Sequence, residues 1–255
     1  MSTTHDPVWV RTFHPAPPGA PRVFCFPHAG GSSTFYFPVS AALSGVAEVL
    51  ALQYPGRQDR RHETPISDMD TYADRVHAAL GTVTGAPIVF FGHSLGAVLA
   101  FEVARRLERD GVVLDTLFVS GRRAPSVHRD EDVHKRDDDG VLAELRRLSG
   151  TDARLFDDAE LVRMVMPAMR ADFAAVETYR GTPGAAVGCP VVALTGDADP
   201  MAAVDEVRAW QAHTTGSFDL RVYPGGHFYL LQHATAVIGE IAAQLPTPSS
   251  ARTTP

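Results

Sequence analysis

The sequence predicts an α/β fold built on a mostly parallel sheet flanked by helices. Two observations carry that expectation. Short apolar runs of strand length alternate with helical patterns along most of the 255 residues, the order left by parallel strands joined through crossover helices. Near the middle, the apolar run Ala86-Pro87-Ile88-Val89-Phe90-Phe91 enters Gly92-His93-Ser94-Leu95-Gly96 and then a helical pattern closed by Gly111. Strand, cramped turn and helix around G-x-S-x-G lift a serine hydroxyl out of a sheet and set it beside a helix N-terminus.

Taken in order, strands are expected near residues 22–26, 47–53, 87–91, 114–120, 190–195 and 218–223. Their β-branched and aromatic content and their length fit buried strands. Helices are expected near 37–42, 68–84, 95–110, 202–213 and 234–244. One domain over residues 1–245 follows, with a Ser/Thr/Pro-rich tail at 246–255 expected to be disordered. Between Gly121 and Gly188 the alternation stops. A mixed-charge run at 128–139 reads as a solvated surface, and helical patterns follow near 141–148 and 158–179. In the second pattern Leu161, Met164, Val165, Ala168, Phe173 and Val176 fall near one face. Pro167 inside it should bend or divide the helix. An insertion over about 123–186 is well placed to act as a lid, since long insertions in compact domains are commonly functional; the plainer alternative is a helical decoration that extends the core.

Composition narrows the function. With 23 basic against 30 acidic residues the net charge is −7, and no basic tract offers a nucleic acid or an anionic membrane a footing. No apolar run approaches the roughly 18 residues of a membrane span, and the polar N-terminus lacks a secretory h-region, so a cytoplasmic protein is expected. Cys25 and Cys189 are the two cysteines, too few for a disulfide framework or metal cluster, and their apolar settings fit buried thiols.

The chemistry rests on residues that follow strand ends, where open α/β sheets place their sites. A serine hydroxyl needs a base, and the base needs an orienting acid. In the α/β-hydrolase fold, to which the elbow points, the chain order is Ser, Asp or Glu, then His. Ser94 is the candidate nucleophile. His227 follows the last strand within Pro224-Gly225-Gly226-His227-Phe228 and is the candidate base. The acid is either Asp199 or Asp197, in Gly196-Asp197-Ala198-Asp199-Pro200; Asp199 is favoured, Asp197 fitting a turn cap. A tetrahedral intermediate also needs two N–H donors. Leu95, after the nucleophile, is one candidate, and Ala29 in the glycine-rich Phe26-Pro27-His28-Ala29-Gly30-Gly31 is the other. His28, Met164, Met169 and Phe173 are candidate substrate contacts, although His28 and His93 also fit a turn-shaping role. Arg57, Arg60 and Arg61 cluster locally, as salt-bridge partners or as a contact for an acidic partner.

These segments together resemble the type II (stand-alone, editing) thioesterases of polyketide and nonribosomal peptide biosynthesis. The resemblance runs over residues 9–245 through Pro27-His28-Ala29-Gly30-Gly31, Tyr54-Pro55-Gly56-Arg57-Gln58-Asp59-Arg60, Gly92-His93-Ser94-Leu95-Gly96-Ala97, Arg170-Ala171-Asp172-Phe173, Gly196-Asp197-Ala198-Asp199-Pro200 and Gly225-Gly226-His227-Phe228. G-x-S-x-G alone is shared with esterases, lipases and peptidases; the P-H-A-G-G and Y-P-G-R segments are far more specific. The resemblance implies hydrolysis of aberrant or stalled acyl groups from the phosphopantetheine arm of acyl carrier or peptidyl carrier proteins. It implies Asp199 as the acid, no cofactor beyond the phosphopantetheine that the substrate carries, and a carrier protein as partner to a monomeric enzyme. A free carboxylesterase, an acyltransferase and a non-catalytic carrier-binding relative are the competing readings; the last predicts a damaged triad, which the sequence does not show.

Overall fold

The computed structural model describes residues 5–83, 85–149 and 159–245. The 246–255 tail expected to be disordered lies outside them. Seven strands form one sheet: β1 (Val10–Arg11), β2 (Arg22–Phe26), β3 (Glu48–Leu52), β4 (Ile88–His93), β5 (Thr116–Ser120), β6 (Val191–Gly196) and β7 (Phe218–Tyr223), in the order β1-β3-β2-β4-β5-β6-β7. All neighbours are parallel except β1, which pairs antiparallel with β3. β1 is absent from the sequence expectation because two residues are too few for a period to show.

Helices cover both faces. On one, α2 (Met69–Leu80) and α3 (Leu95–Arg109) bury Tyr72, Val76, Leu99, Phe101 and Val103 against Phe24, Phe90 and Leu117. On the other, α1 (Phe37–Leu43) and α7 (Ala234–Ala243) bury Leu43, Val237 and Ile241 against Val23, Val49 and Phe91. Such continuous apolar strands are what a sheet covered on both faces requires. Asp68 caps α2 by accepting from Thr71 N–H at 2.8 Å. The expected helix at 202–213 is instead α6 (Val204–Arg208) followed by a 3₁₀ segment, Ala209–His213. In that tighter turn Trp210 Nε1–H donates to Arg122 O at 2.8 Å and His213 Nδ1–H to Ala185 O at 2.7 Å.

The insertion between β5 and β6 carries α4 (Asp138–Ser149) and α5 (Ala159–Thr178). Helix α5 runs on through Pro167 rather than dividing there. The insertion has a small core of its own, with Val141, Leu142, Leu145, Val162, Met166, Met169 and Phe173, while Ala175 and Val176 at the end of α5 join the main core. The charged run at 128–139 is not simply a solvated surface. Glu131 accepts from Arg123 at 2.9 Å, Arg129 pairs with Glu206, and His134 pairs with the buried Glu177. Partners 8, 77 and 43 residues away were invisible to a local reading.

Candidate active site

Register places the site. Phe26 is opposite Gly92, His93 opposite Ser120, and Gly196 opposite Tyr223, so the loops after β2, β4, β6 and β7 leave the same edge of the sheet. The chain steps from β2 outward to β3 and then back across to β4. That reversal opens a crevice between the loops after β2 and β4, the usual ligand position in such sheets.

The elbow is built from what does not fit in it. Ser94 holds φ 56° and ψ −117°, a left-handed backbone that costs a non-glycine residue free energy and is kept only where surroundings enforce it. Here Ser94 N–H donates to Ser120 O at 2.8 Å and Ala97 N–H to Ser94 O at 3.0 Å. A Cβ at Gly92 would collide with Gly96 O, and one at Gly96 would collide with Phe26 O and lie 2.7 Å from Pro27 O. The second contact is what lets the loop at 27–31 pass directly over the start of α3. Leu95 opens that helix, so its N–H has no carbonyl partner within the helix. Ala29 lies on the wall of the same cavity as Ser94.

His227 and Asp199 meet because their loops are stacked. A Cβ at Gly196 would sit 2.5 Å from Gly226 O. His227 Nδ1–H donates to Asp199 Oδ2 at 2.9 Å and Oδ1 at 3.1 Å. A carboxylate can only accept, so a proton lies on Nδ1, and in the neutral ring the lone pair is then on Nε2. Asp199 Oδ1 also accepts from Met201 N–H at 2.8 Å. Asp197 does something else: it accepts from Gly225 N–H at 2.9 Å and so fastens the turn before His227.

Three imidazoles gather here, with His93 5.0 Å from His227 and 6.0 Å from His28, centroid to centroid. Only one has a carboxylate. Burial, then His227, then Arg57 hold His28 down to about 3; burial, then His227 and His28 hold His93 well below the usual histidine range. Both are neutral at pH 7, leaving His227 as the one of the three with a partner that stabilises its cation. His28 lies between Phe35 and Phe228. The contact of His93 Nδ1 with Ser120 Oγ at 2.9 Å is a second serine–histidine pair, but both residues are fully buried, off the cavity wall, and Ser120 also meets Tyr229 OH at 2.6 Å.

A cavity of about 320 Å³ lies over Ser94 and His227, a size that suits a small-molecule group. The insertion supplies much of its apolar wall, with Leu145, Val162, Val165, Met169 and Phe173. Of the candidate contacts, His28, Met169 and Phe173 are on the wall, and Met164 is not: it is 52% exposed, on the outer side of α5. The inner stripe is 161/162, 165/166, 169, 173 and 176, the 3.6-residue period; apolarity at Met164 masked that phase. Val162, absent from the expected apolar face, was missed for the same reason. Of the arginine cluster, Arg57 and Arg60 are buried, Arg57 pairing with Asp172 and Arg60 with Glu63 while lying over the Trp9 ring; they are structural partners, not a contact surface. Cys25 and Cys189 are buried free thiols. Among the described residues no group of three His, Cys, Asp or Glu is placed to hold a metal, and no helix is long and apolar enough to cross a membrane.

Comparison with known proteins gives one answer. The family described as thioesterase domain matches residues 21–245. A probable cadicidin biosynthesis thioesterase of Streptomyces griseus is 52% identical over 237 residues, which cover 93% of this chain and 66% of that protein. Thioesterase PikA5 of Streptomyces venezuelae is 50% identical over 240 residues, 93% of this chain and 85% of its own. The type II thioesterase BorB from the borrelidin biosynthetic cluster superposes with a TM-score of 0.89 at 52% identity, covering 94% of this chain and 99% of that one. Motifs, sheet order and relatives agree: the chain is an α/β-hydrolase and belongs to the thioesterase family, in its type II group.

Proposed function

We propose that the chain hydrolyses aberrant or stalled acyl groups from the phosphopantetheine arm of acyl or peptidyl carrier proteins in a polyketide or nonribosomal peptide pathway. The observation that carries this reading is the coincidence of the strained Ser94 elbow and the His227–Asp199 pair on the floor of one apolar cavity roofed by the insertion. Two of the relatives named above are a probable cadicidin biosynthesis thioesterase and a type II thioesterase from the borrelidin biosynthetic cluster, which supports carrier-bound thioesters as the substrate class.

In this mechanism Ser94 Oγ attacks the thioester carbonyl while His227 Nε2 takes its proton. Asp199 holds the imidazole in the required tautomer and stabilises the imidazolium. The N–H groups of Ala29 and Leu95 hold the oxyanion as the carbonyl becomes tetrahedral. The intermediate collapses by breaking the C–S bond, and the pantetheine thiol leaves with the proton from His227. A water then attacks the acyl-Ser94 ester, giving its proton to His227, and the free acid departs with Ser94 restored. Met169 and Phe173 line the acyl chamber, and the insertion acts as its lid.

The test compares one short acyl group on a carrier protein, on a small thiol, and as an oxygen ester. Faster release from the carrier, abolished in Ser94→Ala with folding intact, is expected. Equal or better rates on the small esters would make the protein a general esterase; a Ser94→Ala variant at half the wild-type rate would remove Ser94 from the mechanism.

A further inference from the structure

Asp172 is a fully buried charged side chain of α5, and it points across the fold at the loop after β2. Its Oδ2 accepts from Gly30 N–H at 2.8 Å, the amide next to the oxyanion candidate Ala29. The same carboxylate takes both ends of the Arg57 guanidinium, Nη1 at 2.7 Å and Nη2 at 3.0 Å. Arg57 in turn donates to Gly31 O at 3.1 Å and to Pro55 O at 3.2 Å. One ion pair thus holds the loop by an amide on one side and a carbonyl on the other.

Neighbouring contacts leave the loop little room to choose another position. Gln53 Oε1 accepts from Ser33 N–H at 3.0 Å and from Ser33 Oγ–H at 2.8 Å. Gly30 has φ +72°, and a Cβ there would collide with Met169, one turn before Asp172 on α5. The insertion therefore touches the loop twice, by packing at Met169 and by charge at Asp172.

A buried ion pair is a poor source of stability, because desolvating both ions offsets most of their attraction and an apolar pair of similar size does as well. What it gives is geometry: a bidentate guanidinium–carboxylate pair fixes direction as well as distance. Stabilising an oxyanion needs that property, since donors must already face the position where charge develops.

We propose that Asp172, with Arg57, is a positioning residue that sets the Ala29 amide for the oxyanion and so makes the C-terminal half of α5 part of the machinery of turnover. This rests on the acyl-transfer reading above. The insertion then has a second duty: besides shaping the acyl chamber, it holds the loop in register with Ser94 through Met169 and Asp172.

The experiment uses Asp172→Asn, which keeps the shape but not the charge, in the full chain. Two ligands are compared: an acyl trifluoromethyl ketone, which forms a tetrahedral oxyanion on a serine, and the matching thioether, which does not. The expected result is a 10–100-fold fall in kcat with KM within twofold, somewhat below the ~10²–10³-fold cost of deleting an oxyanion donor. Affinity for the ketone falls by the same factor, and affinity for the thioether does not change. Arg57→Lys, which cannot bridge Asp172 and Gly31 in the same way, shows the same ratio of effects and carries the test if Asp172→Asn does not fold. Equal loss of ketone and thioether affinity, or kcat within twofold of wild type, overturns the proposal. Failure of the wild-type protein to bind the ketone through Ser94 would instead overturn the underlying mechanism.

Discussion

Asp199→Asn offers a sharp test of the assignment of roles, because the structure dictates how the new amide must sit. Met201 N–H donates to Oδ1 at 2.8 Å. In the variant that donor keeps the amide oxygen at the Oδ1 position and puts the NH₂ group at the Oδ2 position, 2.9 Å from His227 Nδ1. Two N–H groups cannot face each other, so the imidazole moves its proton to Nε2 and presents a lone pair at Nδ1. The lone pair that should receive the Ser94 proton is gone. A triad acid neutralised in this way costs roughly 10⁴-fold in kcat, or about 5.5 kcal/mol of barrier at ~1.4 kcal/mol per decade. Asp197→Asn is the matched control: its Oδ1 accepts the Gly225 amide, and the amide oxygen of asparagine can take over that bond. Steady-state hydrolysis of an acyl-pantetheine thioester is the assay, with melting temperature alongside. Asp199→Asn within tenfold of wild type, or Asp197→Asn as the more damaging change, would refute the reasoning.

Other expectations follow from packing and charge. Gly96→Ala drives a methyl into Phe26 O and Pro27 O, so it should destabilise by at least the ~1–3 kcal/mol of an overpacked core; a urea midpoint equal to wild type would contradict the tight elbow. Phe173→Ala should widen the chamber and shift selectivity to longer acyl chains, as read from a panel of thioesters, at a stability cost of ~3–5 kcal/mol; an unchanged chain-length profile would remove Phe173 from the chamber. His28 and His93 are held neutral in the fold, so the unfolded chain binds more protons once pH drops below the ordinary histidine value near 6.5. Stability should be level near pH 7.5 and fall as pH drops through 6.5 toward the His28 value of about 3, by up to ~1.4 kcal/mol per pH unit for each ring. Denaturant unfolding at pH 7.5 and 5.5 checks this, and equal stabilities at the two would contradict it.

Much of the site was legible because this fold puts its chemistry at strand ends, and strand ends carry short-range signals. Gly92 and Gly96 mark the elbow, Gly196 and Asp199 mark the loop of the candidate acid, and Gly225 and His227 mark that of the candidate base. β2 and β7 begin and end at the residues that their apolar content indicated. What escaped was set by contacts far along the chain. Asp172 reaches Gly30 and Arg57 across 142 and 115 residues, and nothing local marks a helical aspartate as the partner of a loop. Met164 was placed on the wrong side because α5 is apolar on more than one face, so composition alone did not set its phase. The split of the 202–213 helix depends on Trp210 reaching Arg122 O, 88 residues away.

The central claim is that Ser94 carries the acyl group between thiol release and hydrolysis. Acid-quenching the enzyme during turnover of a slowly hydrolysed acyl thioester, followed by intact-mass and peptide mapping, tests it directly. The account predicts one acyl adduct on the peptide containing Ser94, absent from Ser94→Ala and formed far more slowly in Asp199→Asn. An adduct on another residue, or continued turnover by Ser94→Ala, would contradict it.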